Sequence, residues 1–331
     1  MKDDQRNPER SRRTTNGQLS EYHIPVLLKE TIEGLTIKPS GIYVDCTFGG
    51  GGHAKAILKQ LNANGKLVAF DQDEEAKKNV PDDERILFVP HNFRYLKRFL
   101  QLHGINEVDG VLADLGVSSH QFNEAERGFS TRFNADLDMR MDRRQQKTGF
   151  DVVNSYSEQQ LHKLFEQYGE VTNAKTLART IVETRKTMSL QTIEGFKNAV
   201  APVVKGNPSK YFAQVFQALR IEVNEELEAL KELLVQLPQV LKSGGRAAII
   251  TFHSLEDRLV KIFFRDGSFE TVEDENPFST DEKIKSSFKL VNKKPIEASK
   301  EELKINPRSR SAKLRVAEKR TASPNPSGGG A

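Results

Sequence analysis

Four consecutive glycines, Gly49-Gly50-Gly51-Gly52, follow a short apolar run at 42–46 and lead directly into a helical pattern at 54–61. Glycine loses more backbone freedom on folding than any other residue, so such a run belongs where the backbone turns sharply or closely approaches another group. The helix that follows offers unpaired N–H donors at its start. Strand, glycine turn and helix in this order open a nucleotide-binding βαβ unit. Residues 67–71, 86–89 and 108–115 continue the pattern as short aliphatic or β-branched runs bounded by Gly, Pro or Asp, with an amphipathic stretch at 93–102. Short buried strands alternating with helices predict an α/β fold with a mostly parallel, doubly wound sheet.

After 116 the alternation stops. Ser157-Glu158-Gln159-Gln160 reads as a capping box, followed by Leu161, Leu164, Phe165 and Tyr168 on one helical stripe. Ala174, Leu177, Ala178 and Ile181 mark a second helix, and Ile193, Phe196 and Val200 a third. This block, up to about 220, reads as a helical insertion of roughly a hundred residues. A long helix is expected at 211–237, then a Ser243-Gly244-Gly245 turn and a strand at 246–252. Ser254 with Asp257 is expected to cap the next helix. A polar loop at 266–287 and two strands at 288–291 and 313–316 would close the sheet with an antiparallel edge.

Composition excludes several classes. A 37% hydrophobic content over 331 residues supports a sizeable core, so disorder throughout is excluded. The net charge, 50 − 46 = +4, is too small to indicate nucleic acid by itself. The single cysteine, Cys46, excludes an intramolecular disulfide framework and a multi-Cys zinc site, and no metal-ligand cluster is visible among the seven His. It fits a reducing compartment, and the expected location is cytoplasmic. No apolar run approaches the ~20 residues of a membrane span. The first twenty residues carry Lys2, Arg6, Arg10, Arg12 and Arg13 without an apolar segment, which argues against a secretory signal.

Candidate functional residues fall at the carboxyl ends of the expected strands, where open α/β sheets bind ligands. Asp71 ends the second strand, where an acid accepts hydrogen bonds from ribose hydroxyls. Gly49-x-Gly51-x-x-Ala54 satisfies the loose dinucleotide fingerprint, so spacing alone leaves NAD open. Asp114, Ser118 and Ser119 follow the fourth strand, and His253 the fifth. Two basic segments could meet RNA. Arg127, Arg132, Arg140, Arg143 and Arg144 are interleaved with Phe129 and Phe133; Arg308, Arg310, Lys313, Arg315, Lys319 and Arg320 lie near the end.

These residues carry a resemblance. Thr47-Phe48-Gly49-Gly50-Gly51-Gly52-His53, Asp114-Leu115-Gly116-Val117-Ser118-Ser119, Ala125-Glu126-Arg127-Gly128-Phe129-Ser130 and Leu137-Asp138-Met139-Arg140-Met141-Asp142 resemble the bacterial ribosomal RNA small subunit methyltransferase H family. So do Phe216-Gln217-Ala218-Leu219-Arg220-Ile221, Thr251-Phe252-His253-Ser254-Leu255-Glu256-Asp257-Arg258 and Asn306-Pro307-Arg308-Ser309-Arg310. The match runs in order from about His23 to Glu318.

The resemblance implies a class I S-adenosylmethionine methyltransferase fold, Rossmann-like, with an inserted helical subdomain. Within the match fall a methyltransferase domain (21–119 and 213–320) and a helical insertion for substrate recognition (120–212); outside it, composition reads a disordered polar arm (1–20) and a disordered Ser/Pro/Gly-rich tail (321–331). The resemblance implies S-adenosylmethionine as cofactor, held by Gly51, Gly52, His53, Asp71, Phe93, Asp114 and Gln121. It further implies methylation of the exocyclic N4 of a cytidine in the decoding region of 16S rRNA, with the small ribosomal subunit as partner; a homodimer is compatible with the sequence. DNA-type amino-methyltransferases carry an Asp/Asn/Ser-Pro-Pro-aromatic motif after the fourth strand. Asp114-Leu115-Gly116-Val117 departs from it, so the proton acceptor is not identified, and Ser118, Ser119 and His253 are the candidates to contact the base. Two other classes compete: an NAD-dependent oxidoreductase, for which no catalytic constellation can be placed, and a non-catalytic RNA-binding protein with a vestigial pocket.

Overall fold

A computed structural model of the chain describes residues 25–269 and 286–321. The expected N-terminal arm, nearly all of the tail and most of the loop at 266–287 lie outside the described residues.

Eight strands form one sheet: β1 (Ile42–Asp45), β2 (Lys66–Phe70), β3 (Ile86–Val89), β4 (Val108–Asp114), β5 (Leu241–Thr251), β6 (Phe288–Leu290), β7 (Ile296–Glu297) and β8 (Lys313–Lys319). Their order is β3-β2-β1-β4-β5-β8-β6, and β7 also pairs with β8. The first five run parallel, and β8 lies antiparallel to β5. This is the expected Rossmann-like sheet with an antiparallel edge. Val44 of β1 sits between Val68 of β2 and Val111 of β4. Strand order therefore reverses between β1 and β4, which opens a crevice at their carboxyl ends.

Period-two alternation gives the sheet two apolar faces. Val44, Val68, Val111, Ala247 and Ile249 pack with the helices Leu96–Leu102, Glu226–Val240 and Ser254–Asp266. Tyr43, Leu67, Leu112, Ala248 and Ile250 pack with Leu28–Leu35 and Gly52–Gln60. Each fully buried Leu, Ile or Val contributes roughly 1.5–3 kcal/mol of burial free energy. A third core, containing Phe129, Leu161, Phe165, Leu177, Phe196 and Phe216, belongs to the helices Gly149–Ser155, Glu158–Gln167, Ala174–Thr184, Ile193–Val200 and Pro208–Asn224. The Ser157–Gln160 capping box forms as expected. Among the described residues, no helix is long and apolar enough to cross a membrane.

Several elements differ from expectation. The helix expected at 211–237 is two, Pro208–Asn224 and Glu226–Val240, broken at Glu225, whose φ is +50°. The apolar periodicity continues through the break because both halves bury a stripe; what breaks the helix is tertiary. Asn224 donates to the Met139 and Arg220 carbonyls at 2.8 and 2.9 Å and accepts from Met141 N at 2.7 Å. The Ser243-Gly244-Gly245 turn is a bulge inside the β4–β5 ladder, where pairing steps from Val108–Leu241 to Gly110–Arg246. Helix Ser254–Asp266 is capped by His253, not Ser254, because Nδ1 of His253 accepts from Glu256 N while Glu256 accepts from the Phe252 and His253 amides. β7 and the helix Lys300–Ile305 carry too few apolar residues to signal themselves in sequence.

Asn224 is 3% exposed and joins the helix break to a loop whose Met139 is itself left-handed, φ +63°. Asn224→Ala orphans a buried carbonyl and a buried amide, and is expected to cost about 2–4 kcal/mol. A lower urea midpoint with unchanged m value checks this; an unchanged midpoint contradicts it.

Candidate active site

The crevice is assembled from the carboxyl ends of β1, β2 and β4. Gly51 N donates to Phe48 O at 2.7 Å, closing a tight turn with Gly51 at φ +73°. A Cβ on Gly52 would collide with Pro25, so the start of helix Gly52–Gln60 seats against the incoming chain. Asp71 ties the loop to β2: its Oδ2 accepts from Gly49 N at 2.7 Å and its Oδ1 from Asp73 N at 2.8 Å. Thr47 ties it to β4 by accepting from Asp114 N at 2.7 Å. The buried His53 places Nε2 3.1 Å from Val26 O and Nδ1 3.8 Å from Asp114 Oδ2. The structure thus brings Gly51, Gly52, His53, Asp71 and Asp114 together.

Three carboxyl groups around this loop resist ionisation. Burial pushes Asp45 up to about 7, against the lowering effect of its hydrogen bond from Thr47 N, with Asp71 adding repulsion. Burial pushes Asp71 up to about 6. Asp114 is held well above the carboxylate range by burial, then by the Asp45 and Glu256 charges. Asp45 Oδ2 and Asp114 Oδ1 are buried with no hydrogen-bond partner. Such acceptors are costly unless something supplies donors or positive charge. The crevice therefore suits a cationic, hydrogen-bond-donating ligand. Asp45 and Thr47 were missed as candidates, although Asp45 is an acid ending a strand beside the glycines.

Other expected residues are placed less directly. Ser118 caps helix Ser119–Asn123 in a capping box with Gln121, and Ser119 opens that helix. The Gln121 amide accepts from Ser118 N and donates to Asp73 Oδ2 at 2.9 Å. Both ends of Gln121 are thus engaged within the protein, which makes it a positioning residue for Asp73 and the β2 end. Phe93 opens a 3-10 turn after β3, capped by Asn92, and packs half-buried on the main core. His253 lies beyond β5. Its Nε2 is 3.2 Å from Glu256 Oε1, and one ligand-type atom each from Glu226, His253 and Glu256 lie within 4.8 Å of one another. No local spacing discloses that grouping. Arg220 already brings a cation to it, donating to both Glu226 oxygens at 2.8 and 2.9 Å.

A cavity of about 220 Å³ opens where the helical unit meets the sheet. Val117, Phe122, Phe129, Met139 and Phe216 give it apolar walls; Gln217 and Arg220 add polar groups. Gln217 and Arg220 stand in a motif that carries the resemblance, but nothing local assigned them a role. A larger hollow of about 370 Å³ beside Arg94, Lys147, Glu222 and Glu225 is walled by charged pairs and lies on the outer side of the helix break.

The basic segments need correction. Arg127 is 2% exposed, ion-paired with Asp73 at 2.8 Å, and donates to the Arg140 and Met141 carbonyls. Phe129 is buried and lines the cavity instead of standing on the outer surface beside these arginines. Arg140 pairs with Asp138, Arg144 with Asp142 and the buried Arg315 with Asp257, while Arg320 donates to the Ser286 and Phe288 carbonyls. Short-range acids and the sheet edge consume these charges.

The chain is similar to known proteins along most of its length. It matches the MraW methylase family over residues 20–320. It is 55% identical over 302 residues to the ribosomal RNA small subunit methyltransferase H of Christiangramia forsetii, covering 91% of this chain and 99% of that one. The protein of the same name from Azobacteroides pseudotrichonymphae is 54% identical, covering 90% and 97%. That from Flavobacterium johnsoniae is also 54% identical, covering 90% and 98%.

The orphaned Asp45 carboxyl makes stability depend on pH. Its folded pKa of about 7 lies above the unfolded value, so the folded state binds the extra proton between roughly pH 4 and 7 and loses stability as pH rises through that window. Asp45→Asn keeps an acceptor for Thr47 N and removes the titration. It is expected to gain on the wild type by about 2–3 kcal/mol between pH 5 and pH 8. Urea unfolding at the two pH values checks this, and a gap that does not widen refutes it.

Proposed function

Because the chain belongs to the MraW methylase family, we propose that it transfers the methyl group of S-adenosylmethionine to the exocyclic N4 of a cytidine in the decoding region of 16S rRNA, within the small ribosomal subunit. The observation that carries this reading is the pairing of a carboxyl-lined, donor-starved crevice with an aromatic cavity just beyond the end of the same strand. Val117, which lines the cavity, follows Asp114 closely in the chain. Such a substrate places the protein in the cytoplasm.

The cofactor fits the residues present. Gly51 and Gly52 let backbone approach it, Asp71 has lone pairs left for two ribose hydroxyls, and Phe93 stands after β3 to border the adenine. The partnerless Asp114 Oδ1 and Asp45 Oδ2 suit its ammonium, with His53 behind Asp114. When bound, S-adenosylmethionine supplies an electrophilic methyl on a positive sulfur.

The remaining task falls to the protein. The cytosine amine is a poor nucleophile, because its lone pair is delocalised into the ring. Holding nitrogen, carbon and sulfur in line is worth up to roughly 7–11 kcal/mol in favourable cases. The aromatic walls can grip an extruded base, whose unstacking costs a few kcal/mol, least from single-stranded RNA. Gln217 and Arg220 offer it polar contacts, and the helical insertion at 120–212 serves to recognise the substrate. Ser118, Ser119 and His253 contact the base, and Glu256 Oε1, 3.2 Å from His253 Nε2, holds that ring in place.

Radiolabelled transfer to 30S particles and to free 16S rRNA, followed by nucleoside mass spectrometry, tests the reading. N4-methylcytidine is expected, and another methylated nucleoside overturns the substrate assignment. Alanine at Ser118, Ser119 and His253 together should slow single-turnover transfer by about 10² or more; an unchanged rate removes their role. In calorimetry, S-adenosylhomocysteine should bind and NAD should not. Its affinity should fall as pH drops below the Asp71 value of about 6, because the ionised carboxylate accepts the ribose hydrogen bonds. Asp71→Asn should flatten that dependence.

A further inference from the structure

Two basic segments that lie far apart in the sequence meet on one aromatic ring. The Arg132 guanidinium sits 4.9 Å from the centroid of Phe122 and 5.8 Å from that of Phe133. The Arg308 guanidinium sits 5.3 Å from the same Phe122 ring and donates to Asn123 Oδ1 at 2.8 Å. Phe122 also lines the cavity. The three pieces come from different parts of the fold. Phe122 is on helix Ser119–Asn123 just after β4, Arg132 is on the loop leading into the helical unit, and Arg308 is on the turn Pro307–Ser311 before β8, anchored by the fully buried Ser309.

Arg132 differs from the arginines of the other basic stretches. Arg127, Arg140, Arg144 and Arg315 end on carboxylates, whereas Arg132 makes no ion pair among the described residues. Phe133 beside it is 39% exposed, an apolar ring left in water next to a cation. Exposed aromatics interleaved with arginines at the mouth of a concave pocket have the chemistry of single-stranded nucleic-acid binding: rings stack bases and guanidinium groups bind phosphates. A duplex would present neither free base faces nor an extruded base.

We infer that Arg132, Phe122, Phe133 and Arg308 form a clamp for single-stranded RNA at the cavity mouth, holding the nucleotides that flank the base inside. The clamp rests on the reading that the substrate is RNA. Arg132 and Arg308 bind the flanking phosphates, Phe133 stacks a neighbouring base, and Phe122 joins the clamp to the cavity wall. Because the two arginines come from distant parts of the chain, RNA bound there bridges the helical unit and the sheet edge.

The test measures binding of a short cytidine-containing RNA oligonucleotide, single-stranded or annealed to its complement, across a salt series. Arg132→Gln and Arg308→Gln should each weaken single-strand binding about five- to tenfold and reduce the magnitude of the log–log salt slope by about 0.7. The double variant should reduce the slope by about twice that. Arg→Lys at either position should restore the slope but not the full affinity, since charge returns without the planar stack. Phe133→Leu should weaken binding with the slope unchanged. S-adenosylhomocysteine titration and thermal melting confirm that each variant is folded. A folded double variant with wild-type affinity and slope overturns the clamp, as does tighter binding of the duplex than of the single strand. Binding needs no methyl transfer, so the clamp can stand if the methylated nucleoside proves to be another, and can fall while N4-methylcytidine is still made.

Discussion

The buried ion pair between Arg127 and Asp73 joins the two halves of the molecule. Asp73 follows β2 and leans on the glycine loop through Asp71, while Arg127 ends the short 3-10 turn Ala125–Arg127 near the start of the insertion. From there the guanidinium reaches the carbonyls of Arg140 and Met141, and Gln121 donates to the same Asp73 oxygen, Oδ2. A charge this deep is costly unless every partner is in place, and removing one partner of such a pair costs about 3–5 kcal/mol. The loop at 137–142 is fixed from its far side by Asn224, at the helix break. The cavity wall at Met139 is therefore held between the sheet and the long helices.

The same economy of charge shapes the crevice. Asp45, Asp71 and Asp114 crowd carboxyl groups where water is scarce, and each resists ionisation for that reason. A fold optimised for stability alone would replace at least one of them. Keeping all three leaves a site that a positively charged ligand relieves. Such a ligand stabilises the folded chain by mass action, as RT ln(1 + [L]/Kd). Strain of this kind is a usual mark of a binding site.

Local chemistry made much of this legible in the sequence. β1 to β4 are short apolar runs with sharp ends, and Gly49–Gly52 can sit only at a turn of this kind. Asp71 and Asp114 fall at strand ends because the strands end there. What stayed hidden depends on distant partners. Whether Arg127 faces solvent or Asp73 cannot be read from its neighbours, and the same holds for Arg315 with Asp257. Glu225 is a good helix former whose left-handed backbone answers to Asn224 and the loop across from it. His253 took the cap from Ser254 because Glu256, already buried beside Arg220, reaches back to the preceding amides.

The point at which the insertion enters the fold explains why the cavity lies next to the end of β4. The sheet order reverses at β1 and β4, so the crevice lies at the end of β4. The chain leaves the sheet at that point, builds the helical unit, and returns through Pro208–Asn224 and Glu226–Val240 to enter β5, the strand beside β4. Both connections to the insertion thus flank the crevice, and the cavity between Val117 and Phe216 is the gap that they leave. An insertion at any other strand junction would have its own core but no wall facing Asp114. The insertion can then vary without disturbing the glycine loop and Asp71, which lie on the other side of β1.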